Sequence, residues 1–179
     1  MQGFTLGHQT DQGLYQTLSK YPERGRRFVN AMSGFAKRTG NDELEKGFDW
    51  ESVSTMVDVG GGRGEVGVGL AERFGHLNCT IQDLKHVVNE QLRLESENLR
   101  RRVEFVDHDF FTPQITKGAD VYYFRYIFHN LPDESCVQLL QAQISGMTPC
   151  LELCLRLSLI MSCRSEKWIT HLDSRRCHS

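Results

Sequence analysis

The stretch "VDVGGGRGEVG", residues 57–67, decides the fold of this chain. Five of its eleven residues are glycine, and they directly follow a short segment with β-branched side chains. A glycine-rich turn between a strand and a helix lets the backbone approach a ligand closely. Two patterns that favour different ligands overlap here: Gly-x-Gly-x-x-Gly at Gly62, Gly64 and Gly67, and Asp58-x-Gly60-x-Gly62-x-Gly64.

Strand-like and helical segments alternate along the chain. The predicted strands are residues 54–59, 78–83, 103–106 and 119–128, and the predicted helices are residues 65–75, 84–102 and 132–147. Short connections between alternating strands and helices are typical of a parallel sheet covered on both faces. The sequence therefore predicts an α/β fold with a Rossmann-like, mostly parallel sheet and helices on both faces. We expect the sheet to be incomplete at its C-terminal end.

Three regions of the chain differ in pattern. Residues 1–50 are predicted to be a helical segment, in which Phe28 and Met32 recur at helical spacing and Pro22 separates two helices. Residues 51–149 hold the sheet domain. Residues 150–179 form a divergent tail, predicted to contain one strand at most and then disorder.

The composition argues against several function classes. A net charge of −2 over 179 residues gives no reason to expect nucleic acid as a partner. The longest apolar run, residues 151–163, is interrupted by Glu152 and Arg156 and is too short to span a bilayer. The N-terminus lacks the features of a signal peptide, so we expect a cytoplasmic protein without a membrane partner. Six cysteines without a C-x-x-C pair favour free thiols and no metal site, with a metal cluster of tail cysteines, His171 and His178 as the alternative.

Charges near the glycines bear on the choice of ligand. A dinucleotide pattern places a pyrophosphate at the N-terminus of the following helix, where Glu65 would repel it. Asp58 ends the first strand and would anchor the loop amides and, through water, the ammonium group of a cationic cofactor. S-adenosylmethionine carries a sulfonium and an amino group and no phosphate, so these residues favour it. A nicotinamide-dependent oxidoreductase stays as an alternative.

Two further strand ends carry acidic residues that suit an adenosine group. Asp83 ends the second strand, where a carboxylate can accept ribose hydroxyls, as it also does in nicotinamide proteins. Asp109 and Phe110 follow the third strand and suit the exocyclic amine and the ring face of adenine. Each feature has a structural alternative, because glycines can serve a tight turn alone and Asp109 can simply cap a turn.

Four ordered motifs resemble a known family: "VDVGGGRGEVGVGLAERF", "QDLKHVV", "VEFVDHDFF" and "ADVYYFRYIFHNLPDESCVQLL". They are similar to class I S-adenosylmethionine-dependent O-methyltransferases of the caffeate and flavonoid type, and most of all to the branch that methylates fungal aromatic polyketides. The segment "YPERGRRFVNAMSGFAK", residues 21–37, resembles the helix before the cofactor domain of those enzymes. The resemblance implies S-adenosylmethionine as the cofactor and an aromatic hydroxyl as the methyl acceptor.

The resemblance also implies roles for individual residues. It places three glycines on the methionine part of the cofactor, an aspartate on the ribose, an acidic and an aromatic residue around the adenine, and an arginine where the family usually has a lysine: Gly60, Gly62 and Gly64; Asp83; Asp109 and Phe110; and Arg125. His129 matches the catalytic base, and an imidazole can take a phenolic proton near neutral pH. On the residues alone, a histidine that caps a loop is the alternative. His86 and His108 have weaker claims, and His108 is predicted to be a surface loop residue.

The chain also departs from the family pattern. Asn130 and Leu131 replace the aspartate and tryptophan that follow the family's catalytic histidine, and residues 150–179 match nothing in the family. Residues 1–50 are interpreted as a remnant of the family's substrate and dimerisation region that no longer forms the family homodimer. We therefore interpret the chain as a truncated member of the family. A non-catalytic, cofactor-binding remnant stays as the alternative function.

Overall fold

A computed structural model describes residues 3–9, 11, 13–39 and 48–146 of the chain. Its helices are α1 (Gly3–Gly7), α2 (Leu14–Ser19), α3 (Pro22–Thr39), α4 (Glu65–Arg73), α5 (Lys85–Val88), α6 (Glu97–Arg102) and α7 (Asp133–Ile144). Its strands are β1 (Thr55–Val59), β2 (Asn78–Asp83), β3 (Val103–Asp107) and β4 (Val121–Tyr123). A 3₁₀ turn, Trp50–Ser52, precedes β1, and another, Phe128–Asn130, follows β4.

The four strands form one parallel sheet in the order β3-β2-β1-β4. Met56 of β1 pairs with Cys79 of β2 on one side and with Val121 of β4 on the other. Cys79 in turn pairs with Val103 of β3. The chain thus moves outward from β1 to β3 and then returns to the other side of β1. Open α/β sheets bind ligands beyond the carboxyl ends of their strands at such a reversal.

β1 is buried on both faces because helices cover both sides of the sheet. Met56 belongs to a core cluster with Leu70 of α4. Its neighbour Val57 belongs to the opposite cluster, with Leu139 of α7. Successive side chains of a strand point to opposite faces, so a doubly covered strand needs a continuous apolar run. The structure confirms the predicted Rossmann-like α/β fold.

β4 is shorter than its sequence pattern predicts. The apolar segment spans residues 119–128, but the strand holds only Val121–Tyr123. Tyr126 has a φ of 56°, in the left-handed region that strands do not use and that is costly for a bulky side chain. The chain therefore leaves the sheet after Tyr123. The apolar side chain of Phe124 is buried in the core that α7 covers.

The polar segment 84–102 forms two short helices, and the prediction of a single helix was wrong. Residues 89–96 separate α5 from α6. Ser96 ends this stretch as the N-cap of α6, and its hydroxyl accepts an amide of the first turn at 3.1 Å. Leu92 and Leu94 lie between the helices and pack against the core. Because both leucines pack against the core, this stretch does not continue as the single helix that the pattern favoured.

The N-terminal segment is helical, and Pro22 begins α3 after the short helix α2, which confirms the predicted break. Proline suits the first turn of a helix because its missing N–H needs no partner there. α3 contacts both α2 and α4, so this segment lies against the sheet domain. The boundary at residue 50 stays a prediction. The expectations for residues 150–179 and for an incomplete sheet lie outside the described residues.

Candidate functional site

The carboxyl ends of the strands meet at the edge of the sheet where the chain reverses direction. Four segments carry the predicted site residues to this edge: Asp58 with the glycine loop after β1, Asp83 at the end of β2, residues 109–110 after β3, and residues 125–129 after β4. The topology therefore gathers these residues at the position where α/β proteins bind ligands.

The loop after β1 follows a backbone path that favours glycine. Gly60, Gly62 and Gly64 have φ values of 70°, 63° and 95°, which other residues adopt at a cost. A Cβ on Gly60 would lie 2.5 Å from Ile127 Cδ1, whereas a Cβ on Gly62 would meet nothing within 4 Å. The backbone at Gly62 therefore borders open space, where a ligand can approach the main chain.

Gly67 and Asp58 show which of the two glycine patterns the structure uses. Gly67 lies in the first turn of α4, and its amide donates to Asp58 Oδ2 at 3.3 Å. A Cβ on Gly67 would lie 2.8 Å from Ile81 Cγ1, so this glycine serves the packing of helix on sheet. A pyrophosphate needs free amides in the first helical turn. Here a carboxylate already binds one of them, which disfavours a dinucleotide at this helix.

Asp58 is a buried carboxyl group beneath the glycine loop, with only 1% of its surface exposed. Burial raises the pKa of Asp58 to about 7, the Gly67 hydrogen bond opposes this rise, and the charge of Asp83 adds to it. The Arg125 guanidinium lowers the same pKa. A cationic ligand above the loop would favour the ionised form in the same way.

We expect Asp58 to make the stability of the protein fall as the pH rises from about 4 to about 7. Its pKa is about 7 in the folded chain and 3.8 ordinarily, so the folded state binds more protons in that window. Asp58→Asn keeps an oxygen that can accept the Gly67 amide but has no proton to lose. The variant should therefore gain stability relative to the parent across this window. Urea unfolding near pH 5 and near pH 8 checks it, and the same pH slope for both chains would contradict it.

Asp83 already binds two main-chain amides. Its Oδ2 accepts the Gly62 amide at 2.8 Å, and its Oδ1 accepts the Leu84 amide at 2.7 Å. Burial raises the pKa of Asp83, and these two hydrogen bonds oppose the rise. Each carboxylate oxygen can accept a second hydrogen bond. Asp83 can therefore order the glycine loop and also accept ribose hydroxyls, although ribose binding stays a prediction.

Asp109 and Phe110 form a turn beyond β3. Asp109 is exposed, and its Oδ1 accepts the Phe111 amide at 3.0 Å. The turn-capping alternative therefore describes part of its role. Its other carboxylate oxygen has no hydrogen-bond partner among the described residues and could accept a hydrogen bond from a ligand. The half-buried Phe110 ring lies edge-on to the Phe111 ring at 4.8 Å between centroids. That this pair brackets an adenine stays a prediction.

The segment after β4 brings an arginine, a tyrosine and a histidine together. The Arg125 guanidinium lies 5.0 Å from the centroid of the Tyr126 ring, and the His129 ring lies 5.6 Å from the same ring. Tyr126 has the strained backbone noted above, and such residues cluster at functional sites. His129 is exposed in the turn Phe128–Asn130, where an acceptor could reach its ring.

The N-terminal helices contact the site at points that the sequence patterns missed. Three side-chain hydrogen bonds make these contacts: Asn130 Nδ2 to Tyr15 Oη at 3.2 Å, Arg63 Nη1 to Asn30 Oδ1 at 3.2 Å, and the Ser33 hydroxyl to the Glu65 carboxylate. Burial raises the pKa of Tyr15, and the charge of Asp83 raises it further. Arg63 is the residue whose sequence position could have indicated such contacts, because a charged side chain that is partly buried in the glycine loop needs hydrogen-bond partners.

His108 is buried, and its prediction as a surface loop residue was wrong. Only 6% of its surface is exposed, and its amide donates to the Asp83 carbonyl at 3.0 Å. This hydrogen bond continues the pairing of β2 with β3 by one residue and draws the side chain inside. Burial lowers the pKa of His108. Its Nε2 has no hydrogen-bond partner among the described residues.

Metal-binding clusters and membrane-spanning helices are both missing from the described ranges. No group of three or more His, Cys, Asp or Glu side chains there is arranged to hold a metal ion. None of the helices there combines the length and the apolar character needed to cross a bilayer.

The fold and the site define a Rossmann-like α/β protein whose glycine loop is built over a carboxylate and not over a phosphate-binding helix end. The sequence profile of the O-methyltransferase domain matches residues 4–159. The match includes residues 150–159, so the expectation that the tail matches nothing in the family was wrong for these ten residues. This match covers most of the chain, so the chain belongs to the O-methyltransferase domain family. S-adenosylmethionine is the cofactor of this family. The match confirms the resemblance inferred from the four motifs.

Relatives and solved structures agree with this assignment. The grayanic acid biosynthesis cluster O-methyltransferase of Cladonia grayi is 39% identical over 156 residues, which are 82% of this chain and 34% of that protein. O-methyltransferase bik3 of Gibberella fujikuroi is 37% identical over 152 residues, 80% of this chain and 34% of its own length. The chain thus spans about a third of the length of these curated relatives.

A solved structure shows the fold with ligands bound. NcsB1, an O-methyltransferase from neocarzinostatin biosynthesis, superposes with a TM-score of 0.67 at 25% identity, over 75% of this chain and 41% of NcsB1. That crystal structure contains S-adenosylmethionine and 2-hydroxy-5-methyl naphthoic acid.

Proposed function

We propose that this chain binds S-adenosylmethionine and acts in methyl transfer to a hydroxyl group of an aromatic small molecule. The observation that carries the proposal is the Asp58 carboxylate on the Gly67 amide beneath three left-handed glycines. In this arrangement the carboxylate binds an amide that a phosphate would otherwise need, and it places negative charge under the loop. It suits a cationic cofactor and disfavours a dinucleotide.

The residues present fit S-adenosylmethionine. The open backbone at Gly62 leaves room for the methionine part, and Asp58 and Asp83 offer negative charge to its ammonium and sulfonium groups. Asp83 can also accept the ribose hydroxyls. Asp109 and Phe110 offer a carboxylate oxygen and a ring face to the adenine. Gly60, Gly64 and Arg125 complete the set of residues that we expect to hold the cofactor.

The chemistry on the protein side is the removal of one proton. The cofactor, when bound, supplies an electrophilic methyl group on its sulfonium. A phenol is mostly protonated at neutral pH, so we expect a ring nitrogen of His129 to take the phenolic proton as the oxygen attacks. The proton then passes from the imidazole to water. The Tyr126 ring, whose centroid lies 5.6 Å from that of His129, would limit the orientations that the imidazole can adopt.

The acceptor class follows from the relatives. The family members described above are named O-methyltransferases, and NcsB1 was crystallised with a naphthoic acid. We propose an aromatic hydroxyl of a secondary metabolite as the acceptor of this chain. The cytoplasmic location and the inability to form the family homodimer stay predictions. A non-catalytic cofactor-binding remnant is the second candidate, because Asn130 and Leu131 replace the residues that follow the family's catalytic histidine.

We expect S-adenosylhomocysteine to bind this chain and NAD to bind far more weakly. In the Asp83→Ala variant, the affinity for S-adenosylhomocysteine should fall by about 1–3 kcal/mol, because hydroxyls and amides that Asp83 binds lose their partner. Isothermal titration measures both ligands and both chains. Asp107→Ala is the control, because Asp107 is an exposed carboxylate at the end of β3, opposite Asp83 in the strand register.

Two results would count against these expectations. Binding of NAD without binding of S-adenosylhomocysteine would favour the oxidoreductase alternative. Equal affinity in the Asp83→Ala variant and the Asp107→Ala control would remove Asp83 from the cofactor site.

A further inference from the structure

Three glutamines form a buried cluster under the carboxyl edge of the sheet. Gln82 of β2, Gln114 and Gln143 of α7 are only 1%, 2% and 0% exposed. The amides of Gln82 and Gln114 donate to each other at 2.8 and 2.9 Å, and Gln114 Nε2 also donates to Gln143 Oε1 at 2.8 Å. A buried amide is costly unless it is paired. In this glutamine cluster all three amides are paired.

The two ends of the glutamine cluster reach segments that carry predicted cofactor residues. At one end, Gln143 Nε2 donates to the main-chain carbonyl of Phe110 at 2.9 Å. At the other end, the main-chain carbonyl of Gln82 accepts the amides of Gly60 and Gly61 at 2.8 and 3.1 Å. A continuous set of contacts therefore joins the glycine loop to the turn that holds Phe110.

The Phe110 ring gives a second contact between its turn and the glycine loop. A Cβ on Gly60 would lie 3.7 Å from Phe110 Cδ1, so the ring lies beside the glycine loop. Within the turn, the Phe111 and Thr112 amides bond to Asp109. These local hydrogen bonds shape the turn but do not fix its distance from the loop. The hydrogen bond from Gln143 acts on that distance, because α7 packs on the sheet through Leu139.

We propose that Gln143 is a positioning residue for the adenine side of the cofactor site. The glutamine cluster sets the separation between Phe110 and the glycine loop, and so the width of the slot that receives the adenine ring. The glutamine side chains act through Phe110 and the loop and not by touching the ligand. This inference rests on the proposed function, since it takes S-adenosylmethionine and its demethylated product as the ligands.

The test is a double-mutant cycle on binding of S-adenosylhomocysteine. Gln143→Met keeps most of the side-chain volume and removes both hydrogen bonds, and we expect the affinity to fall roughly tenfold. In a Phe110→Ala background the same substitution should have almost no further effect, because its route to the ligand is gone. Additive losses would show a general structural effect and would overturn the positioning role.

Tyr122→Phe is the matched control for removal of a buried hydrogen bond. The Tyr122 hydroxyl lies 2.8 and 3.0 Å from the carbonyl oxygens of Thr116 and Gly146, which share its single proton, and it bonds directly neither to Gln143 nor to Phe110. We expect this variant to unfold at a lower temperature while binding S-adenosylhomocysteine like the parent. The same affinity loss as in Gln143→Met would contradict the proposal.

A second variant keeps the test decisive if Gln143→Met does not fold. Gln143→Leu also removes both hydrogen bonds and leaves an apolar side chain at this buried position, so we expect weaker binding here too. A parent that binds S-adenosylhomocysteine while the Gln143 variants bind it equally well overturns the positioning role alone. A parent that binds none overturns the proposed function as well.

Discussion

In the His129→Ala variant, methyl transfer should fall by about 10²–10⁴-fold while cofactor binding is retained. A general base contributes a rate factor of this size, and it acts on the acceptor and not on the cofactor. His129 is exposed beside the Tyr126 ring at the carboxyl edge of the sheet, where a phenolic oxygen could reach it. Transfer of labelled methyl to a hydroxynaphthoic acid measures the rate, and titration with S-adenosylhomocysteine measures binding.

His76→Ala is the control for this substitution. His76 is also exposed, but it precedes β2 and therefore lies at the amino edge of the sheet. The control should keep the rate of the parent. Equal rates in the His129→Ala variant and the parent would assign His129 to loop structure. A parent that binds the cofactor and transfers no methyl group would favour the non-catalytic alternative.

Gly64→Ala should lower the free energy of unfolding by about 2–5 kcal/mol. The residue has a φ of 95°, which costs an L-residue about 1–2 kcal/mol. Its new Cβ would also lie 2.8 Å from Ile81 Cδ1 and from the Phe105 ring, and overpacking a core costs about 1–3 kcal/mol. Urea unfolding, followed by tryptophan fluorescence, measures the change.

Substitutions at two further glycines separate the cost of the left-handed backbone from the cost of overpacking. Gly62→Ala meets the left-handed backbone alone, because nothing lies within 4 Å of its Cβ, so we expect a loss of about 1–2 kcal/mol. At Gly75 the backbone is not left-handed and nothing lies within 4 Å of a new Cβ, so Gly75→Ala should leave stability almost unchanged. Equal stability in the Gly64 and Gly75 variants would show that the loop does not hold the backbone described.

The glycine loop was predictable because its requirements are local. A left-handed backbone favours glycine, and Gly60, Gly62 and Gly64 of this loop adopt it. The strand ends were predictable for a similar reason, because the parallel sheet brings them to one edge whatever the helices do. Asp83 could therefore be placed at that edge from the sequence.

Other parts of the site depend on contacts between distant segments, and sequence patterns do not show these. Nothing near Tyr15 predicts its hydrogen bond to Asn130, which is 115 positions away. Gln82 looks like one polar residue in an apolar strand until Gln114 and Gln143 are seen beside it. His108 follows a strand and looks like loop, but its amide continues the pairing of β2 and β3.

The strand order also has a consequence for how the chain folds. Met56 pairs with Cys79, which is 23 positions later, and with Val121, which is 65 positions later. Closing the longer loop costs about 1 kcal/mol more in chain entropy, and on the ribosome Val121 emerges well after the first three strands. We expect the half of the site that holds the glycine loop and Asp83 to form first. The segment with His129 would join it only when β4 docks, so the proposed base would be the last part of the site to be assembled.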